Sequence, residues 1–292
     1  PVKEFRDGSI EKKELLNTIQ EMKKNQVDIP MIINGKEVKT TKKIEIRAPH
    51  NHKLKLGTFN EGDESHVKMA IDAALKAKKE WGSVSWQSRA SIFLKAAELI
   101  AGPYRSKING STMLGQSKNV FQAETDAACE FIDFLNFNAS YMEEIYKNQP
   151  ESSDGMWNRL DYRPLEGFVF AISPFNFTSI AGNLCASPAL MGNTVVWKPA
   201  YPQIYSANII MEVFKEAGLP DGVINIIYVD GPVAGDIIFK HKEFAGLHFT
   251  GSTAVFKNLW KEIGNNVDRY KSYPRIVGET GGKDFIIAHK SA

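Results

Sequence analysis

The sequence predicts an α/β protein: a doubly wound, Rossmann-like parallel sheet preceded by an N-terminal arm, a hairpin and a helical layer. Two observations carry this expectation. Beyond residue 166, continuous apolar runs at 167–172, 194–197, 223–227 and 246–249 alternate with helix-length segments. Runs of that length with no polar alternation belong to strands buried on both faces, and their alternation with helices belongs to parallel βαβ units. From Asp63 to Tyr146, in contrast, apolar residues recur at helical spacing almost throughout.

The elements follow in order. Residues 9–27 place Ile10, Leu15, Ile19 and Met22 at helical spacing before Pro30 stops the pattern, so a helical arm is expected. Met31-Ile32-Ile33 then meets Asn34-Gly35, a dipeptide suited to a hairpin turn because both positions tolerate positive φ. Asp63 can cap a helix that carries Val67, Ala70, Ile71, Ala74 and Leu75 to Trp81. Ile92, Leu94, Ala96, Leu99 and Ile100 line a second, ended by Gly102-Pro103, and a third runs from about Ala123 through Cys129, Ile132 and Leu135 to Ile145. A polar stretch with Pro150, Ser152 and Ser153 reads as a linker. These boundaries divide the chain into an arm and hairpin (1–48), a helical layer (49–150), a linker (151–166) and a nucleotide-binding domain (167–292).

Composition narrows the function classes. The 36 basic and 34 acidic residues leave a net charge of +2 and are interspersed, so no single-sign field exists to steer nucleic acid. The lysine clusters around residues 12, 23, 42 and 78 have no interleaved aromatics for base stacking and read as solvated faces. No apolar run reaches the length of roughly 18 residues that spans a bilayer. Two cysteines, Cys129 and Cys185, are too few for a disulfide framework and lack metal-ligand spacing, which points to a reducing compartment and no metal. The start at Pro1, without an initiator Met or an Arg/Ser-rich leader, fits a matured chain whose targeting peptide has been removed.

Four segments carry the chemistry: Ser173-Pro174-Phe175-Asn176-Phe177, Val196-Trp197-Lys198-Pro199-Ala200, Phe249-Thr250-Gly251-Ser252-Thr253 and Gly278-Glu279-Thr280-Gly281-Gly282-Lys283. Each falls after an expected strand, where doubly wound sheets bind ligands. Asn176 offers an amide NH2 to an oxyanion, or alternatively caps the next helix. Lys198 can donate to ribose hydroxyls, or is a solvated strand end. Gly251 and Ser252 open a helix whose N-terminal amides can hold a pyrophosphate, although Gly-Ser also serves as a plain N-cap and no Gly-x-Gly-x-x-Gly fingerprint exists. Glu279 sits among glycines in what reads as a bend, placing a candidate general base, or is incidental to a surface turn.

In this order and spacing the segments resemble the aldehyde dehydrogenase superfamily. The stretches Met113-Leu114-Gly115-Gln116-Ser117-Lys118, Gln122-Ala123-Glu124-Thr125-Asp126-Ala127-Ala128 and Phe256-Lys257-Asn258-Leu259-Trp260-Lys261 are similar to its mitochondrial pyrroline-5-carboxylate dehydrogenase branch. The resemblance covers essentially the whole chain. It implies NAD-dependent oxidation of glutamate semialdehyde, in equilibrium with Δ1-pyrroline-5-carboxylate, to glutamate in proline breakdown, in the mitochondrial matrix and by an oligomer. It further implies that Asn176 donates to the oxyanion and Glu279 activates the hydrolytic water. Ser173 and Lys198 would contact the cofactor, and Gly251, Ser252, Thr253, Ala254 and Val255 would form its pyrophosphate turn. Asp161-Tyr162-Arg163 would begin an oligomerising hairpin.

Three departures qualify these implications. The family's nucleophilic cysteine lies in a further, catalytic domain, and neither Cys129 nor Cys185 matches its position, so no turnover is expected of these residues alone. Tyr201 replaces an acidic residue that usually binds the adenosine ribose, which opens the choice between NAD and NADP. Phe256 stands where many relatives have a second glycine, a feature the pyrroline-carboxylate branch shares. The alternative reading is a non-catalytic, structural subunit of a larger assembly.

Overall fold

The computed structural model describes residues 1–282 and 285–291. Lys283, the last residue of the fourth segment, lies outside them. The chain opens with α1 (Ile10–Lys24), whose start is set by Ser9: its hydroxyl accepts the Lys12 N–H at 3.3 Å. β1 (Val27–Ile29) and β2 (Met31–Ile33) flank Pro30, and β2 turns into β3 (Lys36–Val38) through Asn34 and Gly35 at φ 51° and 70°. That is the type I′ turn expected of the dipeptide. β4 (Lys43–Ala48) and β5 (Asn51–Asn60) form an antiparallel ribbon that joins β1 in a three-stranded sheet of order β1-β5-β4, an addition to the elements expected from sequence.

The helical layer is α2 (Glu64–Ser83), α3 (Trp86–Ala101), α4 (Arg105–Gln116) and α5 (Val120–Ala123), the last continuing through one π-helical turn, Glu124–Cys129, into α6 (Glu130–Lys147). Asp63 caps α2, accepting the Ser65 N–H at 2.9 Å. Inside the π turn the Glu124 carboxylate is buried and held by Arg105, by Asn109 Nδ2 at 2.7 Å and by the Lys3 N–H at 2.7 Å. Residues 151–165 are irregular. Asp161-Tyr162-Arg163 therefore does not begin a strand here, because a strand needs a partner for its N–H and C=O groups and no described segment pairs with it.

The second half alternates β6 (Phe168–Ser173), α7 (Thr178–Leu190), β7 (Thr194–Pro199), α8 (Ile204–Ala217), β8 (Ile224–Ile226), α9 (Gly231–Ile238), β9 (Phe244–Gly251), α10 (Thr253–Asn265) and β10 (Arg275–Thr280). The large sheet has the order β10-β9-β6-β7-β8-β2-β3, parallel from β10 to β8, with β2 and β3 closing it antiparallel. This is the doubly wound α/β sheet read from the apolar runs. α2, beside α9, and α7, beside α8, all pack against β6, β7 or one another, so these strands are almost entirely buried. Trp81 Nε1 donates to the Ala189 carbonyl at 2.9 Å and Arg89 Nε to the Leu190 carbonyl at 2.8 Å, fastening the helical layer to the end of α7.

Candidate functional site

Strand order reverses direction between β6 and β9: the chain winds outward through β7 and β8, then returns to the other side of β6. Ligands of such sheets bind outside the carboxyl ends of the strands at that switch point. Register brings the four segments there. Ile172 stands opposite both Lys198 and Phe249, and Glu279 stands opposite Thr250.

Asn176 lies two residues before α7, exposed, and its side chain makes no hydrogen bond among the described residues. The capping alternative fails, because the N-cap position belongs to Phe177 and carries no side-chain cap. The amide is thus free to donate. The loop that bears it is fixed from behind by the first two residues of α7, both fully buried. Thr178 Oγ1 lies 2.7 Å from Thr112 Oγ1 and accepts from Gln116 Nε2 at 2.9 Å, while the Ser179 hydroxyl donates to Glu130.

Ser173 ends β6 with its hydroxyl turned into the core, where it accepts the Trp197 indole N–H at 3.0 Å. Only its backbone is left for a ligand, and its carbonyl already accepts the Ala200 N–H at 3.2 Å. Lys198, near the end of β7, is half-buried and forms no ion pair among the described residues. Burial pushes its pKa below the ordinary lysine value, and Asp230 pulls the other way. Its side chain lines a cavity of about 540 Å³ between α9 and α10, walled by Phe170, Ile172, Phe249, Val255 and Leu259. Tyr201 stands beside it, the ring centroid 5.7 Å from Lys198 Nζ, and gives its hydroxyl proton to Glu61.

Ser252 is the N-cap of α10, its Oγ accepting the Val255 N–H at 3.2 Å. Thr253 and Ala254 follow in the first turn, where helical N–H groups have no intrahelical acceptor. The cap and the anion-binding reading are therefore compatible: the first-turn amides lie next in the chain to Val255, which lines the cavity. Glu279 corrects an expectation. Gly278, Glu279 and Thr280 are not a bend but the end of β10, hydrogen-bonded in register to β9 from Arg275 onward, and the turn begins at Gly281, φ 97°. Gly278 is required by packing: a Cβ there would stand 2.3 Å from the Phe256 ring, which stacks on Phe249 with centroids 5.5 Å apart.

Sequence reading missed three carboxylates at this rim. Glu61 is tied to Tyr201, and the charge of Asp230 acts on Lys198. Glu130, under the Asn176 loop, has its pKa raised by burial and by the charges of Asp126 and Glu279, against the Ser179 hydrogen bond and Lys118. No periodicity marks such residues, since only the fold brings them together. The cysteines stay away from this chemistry. Cys185 is buried in α7, where burial holds its thiol well above the usual value, and Cys129 faces Glu124 and Arg105 in the π turn, raised by burial and by Glu124. Among the described residues no His/Cys/Asp/Glu group fits a metal, and no helix is long and apolar enough to cross a membrane.

The apolar cavity, the half-buried cation and the open helix N-terminus fit a dinucleotide: apolar walls for a base, a donor at the strand end for a ribose, free amides for a pyrophosphate. Fold and rim together define a nucleotide-binding α/β protein of the Rossmann-like type. A sequence model described as the aldehyde dehydrogenase family matches residues 36–292, and the chain belongs to that family. Its relatives include the probable delta-1-pyrroline-5-carboxylate dehydrogenase of Schizosaccharomyces pombe, 50% identical over all of this chain and 54% of that protein. The mitochondrial enzyme of that name from Homo sapiens is 44% identical over all of this chain and 52% of its own. Among solved structures, the delta-pyrroline-5-carboxylate dehydrogenase of Mycobacterium tuberculosis bound with NAD superposes with a TM-score of 0.95 at 48% identity, covering all of this chain and 55% of that one. The chain spans about half the length of the relatives it matches.

Proposed function

We propose that this chain is the nucleotide-binding portion of a pyrroline-5-carboxylate dehydrogenase, acting in the NAD-dependent oxidation of glutamate semialdehyde to glutamate in the mitochondrial matrix, within an oligomer. The observation that carries the reading is the convergence of Asn176, Lys198, the α10 N-terminus and Glu279 at the one switch point of the sheet. The relatives' names and the NAD-bound neighbour support it. Bound NAD supplies the hydride acceptor. Lys198 would hold a ribose, Ser173 would meet the cofactor through its backbone, and the amides of Thr253 and Ala254, with Gly251, Ser252 and Val255 shaping the turn, would hold the pyrophosphate. The Asn176 amide would donate to the oxyanion that forms when a thiolate adds to the aldehyde, and the Glu279 carboxylate would take a proton from the hydrolytic water. The division of the chain at residues 48, 150 and 166 belongs to the same proposal.

Neither thiol described here can serve as that nucleophile, so these 292 residues alone should bind cofactor and not turn over. Titration with NAD tests the reading. Saturation at roughly micromolar to low millimolar concentrations supports it. No binding at millimolar NAD overturns it in favour of a structural subunit, and glutamate semialdehyde oxidation by the chain alone would overturn the claim about the thiols.

A further inference from the structure

A second cavity lies at the β8-β2-β3 end of the large sheet, away from the switch point. It encloses about 350 Å³ and shares no lining residue with the cavity at Lys198. The chain makes it at a corner. Pro30 separates β1, which belongs to the three-stranded sheet, from β2, which pairs with β8 in the large one, and α8 closes the space between the two sheets. Asn208, Met211, Glu212 and Lys215 reach it at the three- and four-residue spacing of one helix face. Past α8, Gly218 and Gly222 take positive φ, 96° and 82°, and the residues between them border the opening. The lining is mainly apolar: Ile29, Pro30, Phe214 and Ile224 are buried, and Met211 and Leu219 are half-buried.

The charges around this apolar space are uneven. Asp28, Glu37, Glu212 and Asp221 border it against one cation, Lys215. Asp28 is already held by Lys43 at 2.8 Å and by Asn60 Nδ2 at 2.9 Å, and Glu37 lies 3.8 Å from Lys39. Glu212 and Asp221 form no ion pair among the described residues, and neither does Lys215. Glu212 is half-buried, and its carboxylate accepts from Asn208 Nδ2 at 2.9 Å. Burial raises its pKa, against the charge of Lys107 and that hydrogen bond. Lys107 borders a neighbouring cavity of about 220 Å³, which Glu212 also lines, and not this one. Asp221 rests on the hairpin turn: a Cβ at Gly35 would overlap its carboxylate. A carboxylate drawn partly out of water without a cation is stabilised by one that a ligand brings, and the apolar lining beside it can bury that ligand's body. The same charges repel an anion.

We propose that this cavity binds a small organic amine, its apolar body against Ile29, Phe214 and Ile224, its ammonium on Glu212 and Asp221 at the mouth. The site stands apart from the dinucleotide reading and does not depend on it. Titration of the whole chain with isotope-labelled methionine methyl groups, followed by NMR at neutral pH and one fixed salt concentration, tests it, because Met211 lines the cavity. The probes are tryptamine, its neutral analogue tryptophol and the anionic indolepropionate. Tryptamine should shift the Met211 methyl saturably, with a dissociation constant between about 0.1 and 5 mM. Tryptophol should bind about tenfold more weakly for want of one charge-assisted contact, and indolepropionate should not bind. Glu212→Gln should bring tryptamine down to the level of tryptophol, and Leu219→Trp, which fills the space, should abolish both. Denaturation midpoints show whether each variant folds. Asp221→Asn changes an exposed residue and should weaken tryptamine about two- to fivefold, which decides the matter if Glu212→Gln does not fold. No saturable Met211 shift by about 10 mM tryptamine overturns the proposal. So do shifts confined to other methionines, tryptophol binding as tightly as tryptamine, or unchanged tryptamine affinity in folded Glu212→Gln or in Asp221→Asn.

Discussion

The two sides of the large sheet differ sharply in how much protein surrounds them. On the side of β6, β7 and β8 nearly every residue is buried, and helices α2, α7 and α8 lie against the strands. On the other side, β10 is exposed along almost its whole length, and α10 buries only Ile263, leaving Trp260 56% and Val277 56% exposed. The proposed oxyanion donor, on its loop, and the proposed ribose lysine, near the end of β7, are backed by the buried side, whereas the α10 amides and the proposed base Glu279 stand on the open side. The ribose lysine is therefore held by a buried strand pair, whereas the geometry of the base depends on a strand held by one neighbour. Substitutions should show this division as a gradient of stability effects.

The largest effect is expected deep in the helical layer. Arg105→Ala leaves the Glu124 carboxylate buried without its cation and should cost about 3–5 kcal/mol, read as a lowered denaturation midpoint. The pH dependence has a definite sign. Burial alone would raise the Glu124 pKa, but Arg105, the Lys3 N–H and Asn109 outweigh it and hold the group below the ordinary glutamate value. Its contribution is thus fully present above the unfolded-state pKa and is lost as pH falls through the lower folded-state value. In Arg105→Ala the holding cation is gone, so the gap between variant and wild type should narrow as pH is lowered from 7 toward 4. A gap that widens would show that Glu124 is not charged in the fold.

Trp197→Phe probes the buried side next to the site. It removes the indole N–H from the Ser173 hydroxyl inside a fully buried strand pair and should cost about 1–3 kcal/mol in the same assay. At the open edge, Gly278→Ala tests whether packing explains the glycine. The added Cβ displaces the Phe256 ring, and about 1–3 kcal/mol should be lost. The double variant with Phe256→Ala should recover most of what Gly278→Ala alone loses relative to its background, since the clash no longer exists. Simple additivity would mean the glycine serves something other than this contact.

What could be read from the sequence follows the same division. The buried strands were legible because burial on both faces writes itself as an unbroken apolar run, and the switch-point loops followed from their order. The ribbon of β4 and β5 is not among the expected elements, although Ile44, Ile46 and Ala48 alternate with charged residues, as do Leu54 and Leu56. β10 was hidden for a different reason. Its edge position leaves no hydrophobic period, and Gly278, Gly281 and Gly282 around Glu279 imitate a bend, although Gly278 is there to admit the Phe256 ring. The partners of the site, Glu61 on Tyr201 and Glu130 under the Asn176 loop, sit 140 and 49 residues from the groups they touch. Separations of that size leave no local pattern, because only the tertiary fold relates them.

The smallest effect should come from the residues proposed to do the chemistry. Asn176 and Glu279 are exposed, and the Asn176 side chain has no hydrogen-bond partner among the described residues. Asn176→Ala and Glu279→Gln should each change stability by no more than about 0.5 kcal/mol, the range of surface substitutions away from caps and networks. They should also leave NAD affinity within about twofold, because the cofactor contacts proposed above lie with Lys198 and the α10 amides. Equilibrium unfolding and the NAD titration measure both quantities on the same samples. A loss of more than about 1 kcal/mol in either variant would mean that the side chain holds the fold, which would weaken its assignment to catalysis. A loss of NAD affinity in Glu279→Gln would instead place the carboxylate against the cofactor rather than against water.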